Sequence, residues 1–148
     1  MLTSLKVLDH IHTATKIIDE ISLSYEDRFI RRKKLIANNG TEFLVNLEES
    51  KSVEENYYFK LDSAEVIKVI SKEENLIQIT GYNIKQIIWH IGNRHLPCQI
   101  EESRILIQED SVIKEMIIKL GGNVTNVIEK FKPEGGAYGI GRTHSHQH

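Results

Sequence analysis

The chain has 148 residues, of which 40% are hydrophobic and 27% charged, with a formal net charge of −2 and a single cysteine; this size fits one or two small domains. No apolar run approaches the roughly 20 residues of a membrane span, and no secretory signal is evident, so we expect a cytoplasmic protein without a membrane partner. One cysteine excludes an intrachain disulfide framework, and near-neutral charge argues against nucleic acid as a partner.

The first half of the sequence predicts a small all-β domain over residues 1–72. Apolar and polar residues alternate at period two over residues 21–25, which is typical of a half-buried strand. Residues 29–36 and 41–47 flank Asn38-Asn39-Gly40, and because Asn and Gly tolerate positive φ, these runs are predicted to pair as a hairpin. The other segments predicted here are a solvated loop or edge over residues 46–56 and strands over residues 57–61 and 65–70.

A charged stretch over residues 71–75 precedes a second predicted domain, residues 73–142, in which strands alternate with helices. The predicted order is β-α-β-β-α-β, that of the ferredoxin-like sandwich. The fold class is therefore α+β: an N-terminal all-β domain, a ferredoxin-like domain, and a flexible histidine-rich tail over residues 143–148. The strands predicted in the second domain cover residues 76–80, 96–100, 104–107 and 123–131.

Two helices are predicted in this second domain from apolar residues three and four positions apart. Asn83 is the expected N-cap of the first helix and Asp110 that of the second, and Gly121-Gly122 is a typical helix stop. The predicted apolar stripes are Ile84, Ile87, Ile88 and Ile91 in the first helix, and Ile113, Met116, Ile117 and Leu120 in the second.

Residues with catalytic or nucleic-acid chemistry are few. We expect Cys98 to be buried as a small apolar residue in a strand with Leu96 and Ile100, rather than to act as a thiolate nucleophile. No serine lies in a nucleophile elbow and no glycine-rich phosphate loop is present. The basic run over residues 31–34 falls in a strand, where alternate side chains point to opposite faces, so it forms no one-sided patch.

The histidines are the remaining candidates for a site. His10 and His12 are interpreted as a polar surface pair rather than as ligands, and His90 is expected to be exposed. His95 continues the line of the first apolar stripe and comes just after Gly92-Asn93-Arg94, where the helix must end. A histidine at that position is either a metal ligand or a partner for the carbonyl dipole of the helix end.

Three of the seven histidines occupy the last five residues of the sequence. Neutral imidazole is a preferred ligand of nickel, zinc and copper, and alternating spacing lets several rings reach one ion. An expression tag is the alternative, but tags are typically uninterrupted. One fixed His95 and a mobile tail give too few ligands for a closed four-coordinate site, so the site is either weak or shared, as at the two-fold axis of a homodimer. The tail histidines are His144, His146 and His148.

Three elements of the sequence occur together: Trp-His-Ile-Gly-Asn-Arg-His-Leu-Pro at residues 89–97, the helix at 112–116, and Phe-Lys-Pro-Glu-Gly-Gly-Ala-Tyr-Gly at residues 131–139. In these elements the sequence resembles the UreE urease accessory proteins, a family of nickel metallochaperones. The resemblance covers residues 76–148 strongly. In the first half it is weaker and rests on residues 31–47.

The resemblance implies a homodimer with nickel at its two-fold interface, where His95 is the interface ligand and His144, His146 and His148 are ligands from the tail. Ni(II) would be cargo, with Zn(II) open as an alternative ion, and the protein would not be an enzyme. Its partners would be the urease accessory GTPase and the urease apoprotein complex, and its N-terminal domain would bind peptide or partner.

Two departures from the family pattern limit these implications. Some relatives carry extra histidines before the second helix, but Gln108, Glu109 and Ser111 stand here, which argues against a peripheral site. The three-histidine tail also argues against high-capacity storage. The alternative functions are a peptide- or partner-binding module of the urease maturation complex with incidental metal binding, and metal storage.

Overall fold

The computed structural model describes residues 1–135 and shows a mixed α+β protein made mostly of strands. The chain divides into two compact units, with the boundary between Lys72 and Glu73. The predicted tail, residues 143–148, and the last part of the predicted second domain lie outside the described residues. Within the described part of the chain, no helix is long and apolar enough to cross a membrane.

The first unit is a six-stranded mixed sheet in the order β2-β6-β5-β1-β4-β3. Strands β1 and β4 pair in parallel, as do β2 and β6, and the other neighbours are antiparallel. A short 3₁₀ turn, Glu26–Arg28, precedes the third strand. The strands are β1 (Leu2–Leu8), β2 (Ile17–Leu23), β3 (Phe29–Ile36), β4 (Glu42–Ser52), β5 (Tyr58–Leu61) and β6 (Val66–Ser71).

The predicted hairpin of β3 and β4 is confirmed, and Gly40 in its turn has a φ of +94°. The buried carboxylate of Asp19 holds this turn, because it accepts hydrogen bonds from the backbone N–H of Asn39 at 3.1 Å and of Thr41 at 3.3 Å. Burial alone would raise the pKa of Asp19, but hydrogen bonds from Thr41, Glu20 and Asn39 outweigh it and hold the pKa below its ordinary value.

The prediction was incomplete for two parts of the first unit. Strand β1, near the middle of the sheet, was not predicted, because a bulge between Ser4 and Lys6 breaks the period of two and leaves Ser4 and Val7 as its buried residues. Residues 46–56 were predicted as a solvated loop or edge, and β4 continues through them as far as Ser52, with residues 48–51 exposed. Its register with β3 jumps from Asn46 to Lys51, so the segment between them forms a wide bulge.

Buried apolar residues of the first unit form one core cluster. Alternation places Ile21 and Leu23 inside, as predicted for this strand, and Tyr25 just after it is also buried. The rings of Phe43 and Phe59 are fully buried with centroids 5.5 Å apart. This packing belongs to the core cluster of the first unit.

The second unit has the element order β-α-β-β-α-β and one antiparallel sheet in the order β10-β7-β9-β8. Both predicted helices are present, and the buried residues of their stripes pack on apolar side chains of β7 and β9. The elements are β7 (Glu73–Thr80), α1 (Ile84–Asn93), β8 (Gln99–Ile100), β9 (Ile105–Gln108), α2 (Ser111–Lys119) and β10 (Asn123–Lys130).

Strand boundaries in this unit were predicted less well than the helices. Strand β7 begins at Glu73 rather than at residue 76, because it pairs with β10 along its whole length. Strand β8 has two residues instead of the predicted 96–100, since Leu96 is bonded to the end of α1 and Pro97 has no N–H for a ladder.

The helix caps differ from each other. Asp110 caps α2 as predicted, accepting hydrogen bonds from the N–H of Val112 at 2.9 Å and of Ile113 at 3.0 Å. Asn83 stands at the N-cap of α1 but its side chain does not cap that helix. Its amide donates instead to the carbonyl of Leu120, which links the start of α1 to the end of α2.

An ion pair fixes the end of β10. The Arg104 guanidinium donates two hydrogen bonds of 2.7 Å to the carboxylate of Glu129, and a third of 3.0 Å to Glu101. The hydrogen bond from Arg104 also lowers the pKa of Glu129. The chain therefore leaves β10 from a defined position.

Candidate metal centre

His95 lies immediately after α1, in a backbone conformation that side chains rarely adopt. Its φ is +58°, in the left-handed region, and its side chain is exposed. The N–H of His95 donates to the carbonyl of Gly92 at 3.0 Å, and the N–H of Leu96 donates to that of Ile91 at 3.3 Å. These two bonds define a Schellman motif with His95 at the position after the C-cap.

Helix α2 ends in the same motif, which gives an internal comparison. Gly121 takes the left-handed position with φ +90°, its N–H donates to Ile118, and the N–H of Gly122 donates to Ile117, both at 3.0 Å. An L-residue in this conformation costs roughly 1–2 kcal/mol, and glycine avoids that cost. At the end of α1, by contrast, His95 adopts the strained left-handed conformation. Backbone strain of this kind is often found at functional positions.

The backbone around His95 is firmly held. Leu96, the residue after it, packs against the apolar cluster that contains Ile91, and this contact commonly accompanies a Schellman motif. His95 therefore combines a rigid backbone with an exposed imidazole, which suits a ligand that must meet an ion arriving from solvent.

The C-terminal segment passes close to this helix end. After β10, the buried Phe131 anchors the chain. The N–H of Lys132 then donates to the Gln99 side-chain oxygen at 2.8 Å, and the N–H of Glu134 donates to the Cys98 carbonyl at 2.8 Å. The chain thus continues toward its histidine-rich end from a point three residues along the sequence from His95.

The peptide chain between Gly135 and the tail histidines is long enough for these histidines to reach the neighbourhood of His95. His144, His146 and His148 lie outside the described residues, and His144 comes nine positions after Gly135. An extended chain spans at most about 3.3–3.6 Å per residue, or about 30 Å over that interval. The tail of the same chain is therefore long enough for its imidazoles to approach His95.

Within residues 1–135 of one chain, no three His, Cys, Asp or Glu side chains come together as a metal site. The part of the chain that the structure describes thus supplies His95 as a candidate ligand but not a complete ligand set. Borderline divalent ions take four or more ligands in stable protein sites, so a complete site requires the tail, a second copy, or both.

The other histidines play different parts. His90 is half-buried, not exposed as predicted, because it lies beside the buried stripe of α1 and its ring makes a T-shaped contact with that of Trp89 at a centroid distance of 5.1 Å. His10 and His12 are exposed. His10 bonds to Asp9 at 2.6 Å, and that hydrogen bond lowers the pKa of Asp9.

Cys98 and the basic run are not sites of chemistry in the described structure. Burial, and then the charge of Glu134, raise the pKa of the half-buried Cys98 thiol, which disfavours a thiolate nucleophile. Its predicted neighbour Ile100 is exposed, so the shared buried face was wrong. All four residues of the basic run, 31–34, are exposed on the edge strand β3. Although their side chains were expected to alternate between the two faces, none of the four is buried.

Sequence reasoning missed a cavity of about 270 Å³ beside the end of α1. The two residues that follow His95, Leu96 and Pro97, form part of its wall. The cavity is lined by Leu96, Pro97, Ile107, Gln108, Glu109, Asp110 and Ile113.

Comparisons with known proteins also point to the second unit. Residues 74–148 match the family model described as UreE urease accessory protein, C-terminal domain. The chain is 49% identical over 130 residues to the urease accessory protein UreE of Ruegeria pomeroyi, covering 88% of this chain and 87% of the relative.

Two further relatives carry the same name. UreE of Rhodobacter capsulatus is 45% identical over 130 residues, covering 88% of this chain and 83% of the relative. UreE of Azorhizobium caulinodans is 34% identical over an alignment of 158 positions, covering 100% and 76%. Each of these names describes an accessory protein of an enzyme and not the enzyme itself.

Proposed function

The chain belongs to the UreE family of urease accessory proteins, and from that premise we propose that it is a nickel metallochaperone that delivers Ni(II) for assembly of the urease active site. It is not itself an enzyme. The observation that carries the proposal is His95, an exposed imidazole in a strained left-handed conformation where the equivalent position of α2 has glycine.

The proposed site is shared between chains. A homodimer would bring two copies of His95 to a two-fold axis, and His144, His146 and His148 would complete the ligand set. We propose that the second unit is a ferredoxin-like metal-binding domain, and its β-α-β-β-α-β element order and its sheet order support this proposal. The urease accessory GTPase and the urease apoprotein complex, in the cytoplasm, are the proposed partners.

Calorimetric titration of Ni(II) into the intact protein tests this function. His95→Gly keeps the helix end relaxed while removing the imidazole, so it is a better variant than one that strains the backbone. We expect it to weaken nickel binding at least tenfold, and removal of residues 143–148 to lower the stoichiometry or affinity. Wild-type binding by His95→Gly would exclude His95 as a ligand. Competition with Zn(II) in the same cell decides which ion is the cargo.

A second candidate function rests on a groove in the first unit. Strands β1 and β4 pair in parallel only from Leu2 to Ser4, with residues 43–45 of β4, and then separate. The space between them is a groove of about 880 Å³ with Leu5, Val7 and Leu47 among its lining residues. Unpaired strand edges beside apolar side chains are suited to an extended peptide.

Urease activation at limiting nickel separates the two functions. Leu5 is 64% exposed, so Leu5→Asp changes the groove without disturbing the core. Under the nickel proposal, His95→Gly and the tail deletion lower activation and Leu5→Asp binds nickel normally. If activation depends on Leu5 alone, the protein acts as a partner-binding module whose metal binding is incidental.

A further inference from the structure

The cavity beside the end of α1 has no role in the nickel site proposed above. Leu96, Pro97, Ile107 and Ile113 give it apolar walls, and Ile113 and Ile107 belong to the core of the second unit. Polar side chains from the start of α2 also line it, and the carboxylates of Glu109 and Asp110 are exposed there. Such a cavity suits one amphipathic side chain, since an apolar cavity of about 150 Å³ already holds a benzene ring.

The C-terminal segment is directed toward this cavity. The N–H of Lys132 donates to the side chain of Gln99, and the N–H of Glu134 donates to the carbonyl of Cys98. The C-terminal segment therefore runs antiparallel to residues 98–99. The residues next in that direction are Pro97 and Leu96, both of which line the cavity.

The sequence beyond Glu134 offers one well-matched occupant. Gly135, Gly136 and Ala137 have no side chain large enough to fill the cavity, and Tyr138 follows them. Four residues span up to about 14 Å, which covers the distance from Cys98 to its neighbours Pro97 and Leu96. A tyrosine suits apolar walls with polar neighbours, because its ring is apolar and its hydroxyl finds hydrogen-bond partners when buried.

We propose that Tyr138 of the same chain occupies this cavity and anchors the C-terminal tail beside His95. The anchoring role, though not the docking itself, rests on the proposed nickel function. With Tyr138 fixed, the tether to His144 shortens from ten residues after Glu134 to six. Effective concentration scales roughly as the −3/2 power of tether length, so the anchor raises it about twofold.

Methyl NMR of the metal-free full chain tests the docking. An aromatic ring in the cavity shifts the methyl resonances of Leu96, Ile107 and Ile113. We expect Tyr138→Ala to move these resonances, and Tyr138→Phe to leave them close to wild type. A chain ending at residue 139 is the matched control, since it retains Tyr138 but lacks Ile140 and the histidines, and we expect wild-type shifts from it.

Three results would overturn the docking. Unchanged cavity methyls in Tyr138→Ala exclude the tyrosine as occupant. Shifts in the chain ending at residue 139 that match those of Tyr138→Ala assign the cavity to a residue beyond Tyr138. Cavity shifts that vary with protein concentration equally in wild type and Tyr138→Ala assign it to a second copy of the chain.

Nickel titration of the same variants tests the anchoring role. We expect Tyr138→Ala to bind Ni(II) about twofold more weakly and Tyr138→Phe to bind as wild type does. An unchanged affinity in Tyr138→Ala overturns the anchoring role. Failure of the nickel function shows separately, as wild-type binding by His95→Gly, and leaves the metal-free methyl test of docking intact.

Discussion

Replacing His95 by glycine should stabilise the protein while it removes the proposed ligand. At φ +58° the Cβ of His95 lies in the conformation that L-residues avoid, and α2 ends in the same motif with Gly121. His95→Gly removes the Cβ and keeps both backbone hydrogen bonds, from His95 to Gly92 and from Leu96 to Ile91. A substitution that raises stability while it removes a functional group is expected at a residue that is retained for its chemistry.

The magnitude follows from two opposing effects. Relief of the left-handed strain contributes about 1–2 kcal/mol, and the greater freedom of glycine in the unfolded chain costs about 0.5–1 kcal/mol. Relative to His95→Ala, the net gain lies between about 0 and 1.5 kcal/mol, and the midpoints of the two ranges give about 0.75 kcal/mol. Since 1 kcal/mol moves the melting temperature of a small domain by about 4–8 °C, we expect a rise of about 3–6 °C from the midpoint value.

Urea unfolding of metal-free protein in the presence of a chelator measures this gain. His95→Ala is the matched control, because it also removes the imidazole but keeps the Cβ and its strain. We expect the free energy of unfolding to rise in His95→Gly and not in His95→Ala. Equal stabilities of the two variants would refute the strain argument, and Gly121→Ala should lose about 1 kcal/mol or more in the same assay, as the reverse substitution.

Three other changes have defined outcomes. Gly122→Ala should cost about 1–3 kcal/mol in urea unfolding, because its Cβ would lie 2.6 Å from Ile87 Cδ1 and 2.8 Å from Ile117 Cγ2. Asp110→Ala should lose about 1 kcal/mol with the N-cap bonds, a loss that Asp110→Asn should largely avoid. The lowered pKa of Asp19 stabilises the fold above about pH 4, which is the pKa of Asp in the unfolded chain. This contribution disappears as the pH falls through the pKa of Asp19 in the folded protein. The free energy of unfolding, measured from pH 6 to 3, should therefore fall less steeply in Asp19→Ala than in wild type.

The helices and the hairpin could be predicted because each is specified locally. The stripes of α1 and α2 follow the helical period, Asp110 caps its own helix, and Asn38 to Gly40 determine the turn beside them. Strand β1 could not, since its bulge arises from pairing with distant β5. The side chain of Asn83 escaped prediction for the same reason: its partner, Leu120, is 37 residues away.

The candidate site was predictable in its residues but not in its geometry. His95 stands out in the sequence by its place after Gly92-Asn93-Arg94, yet its positive φ depends on how Leu96 packs after the helix ends. The bond from Glu134 to Cys98 brings the tail's origin near that helix end, and it joins segments 36 residues apart. No local pattern encodes either fact.

This geometry has a consequence for release of the ion. Backbone hydrogen bonds hold the turn that carries His95, whereas the other proposed ligands are on residues that follow Gly135. Any ligand residue that the ion itself has to order opposes binding, because fixing one backbone costs about 1–2 kcal/mol. A site assembled this way exchanges its ligands one at a time, and a partner that supplies its own ligands can displace the tail before it displaces His95. A delivery protein requires such stepwise transfer, and a storage site with all its ligands on rigid elements would hinder it.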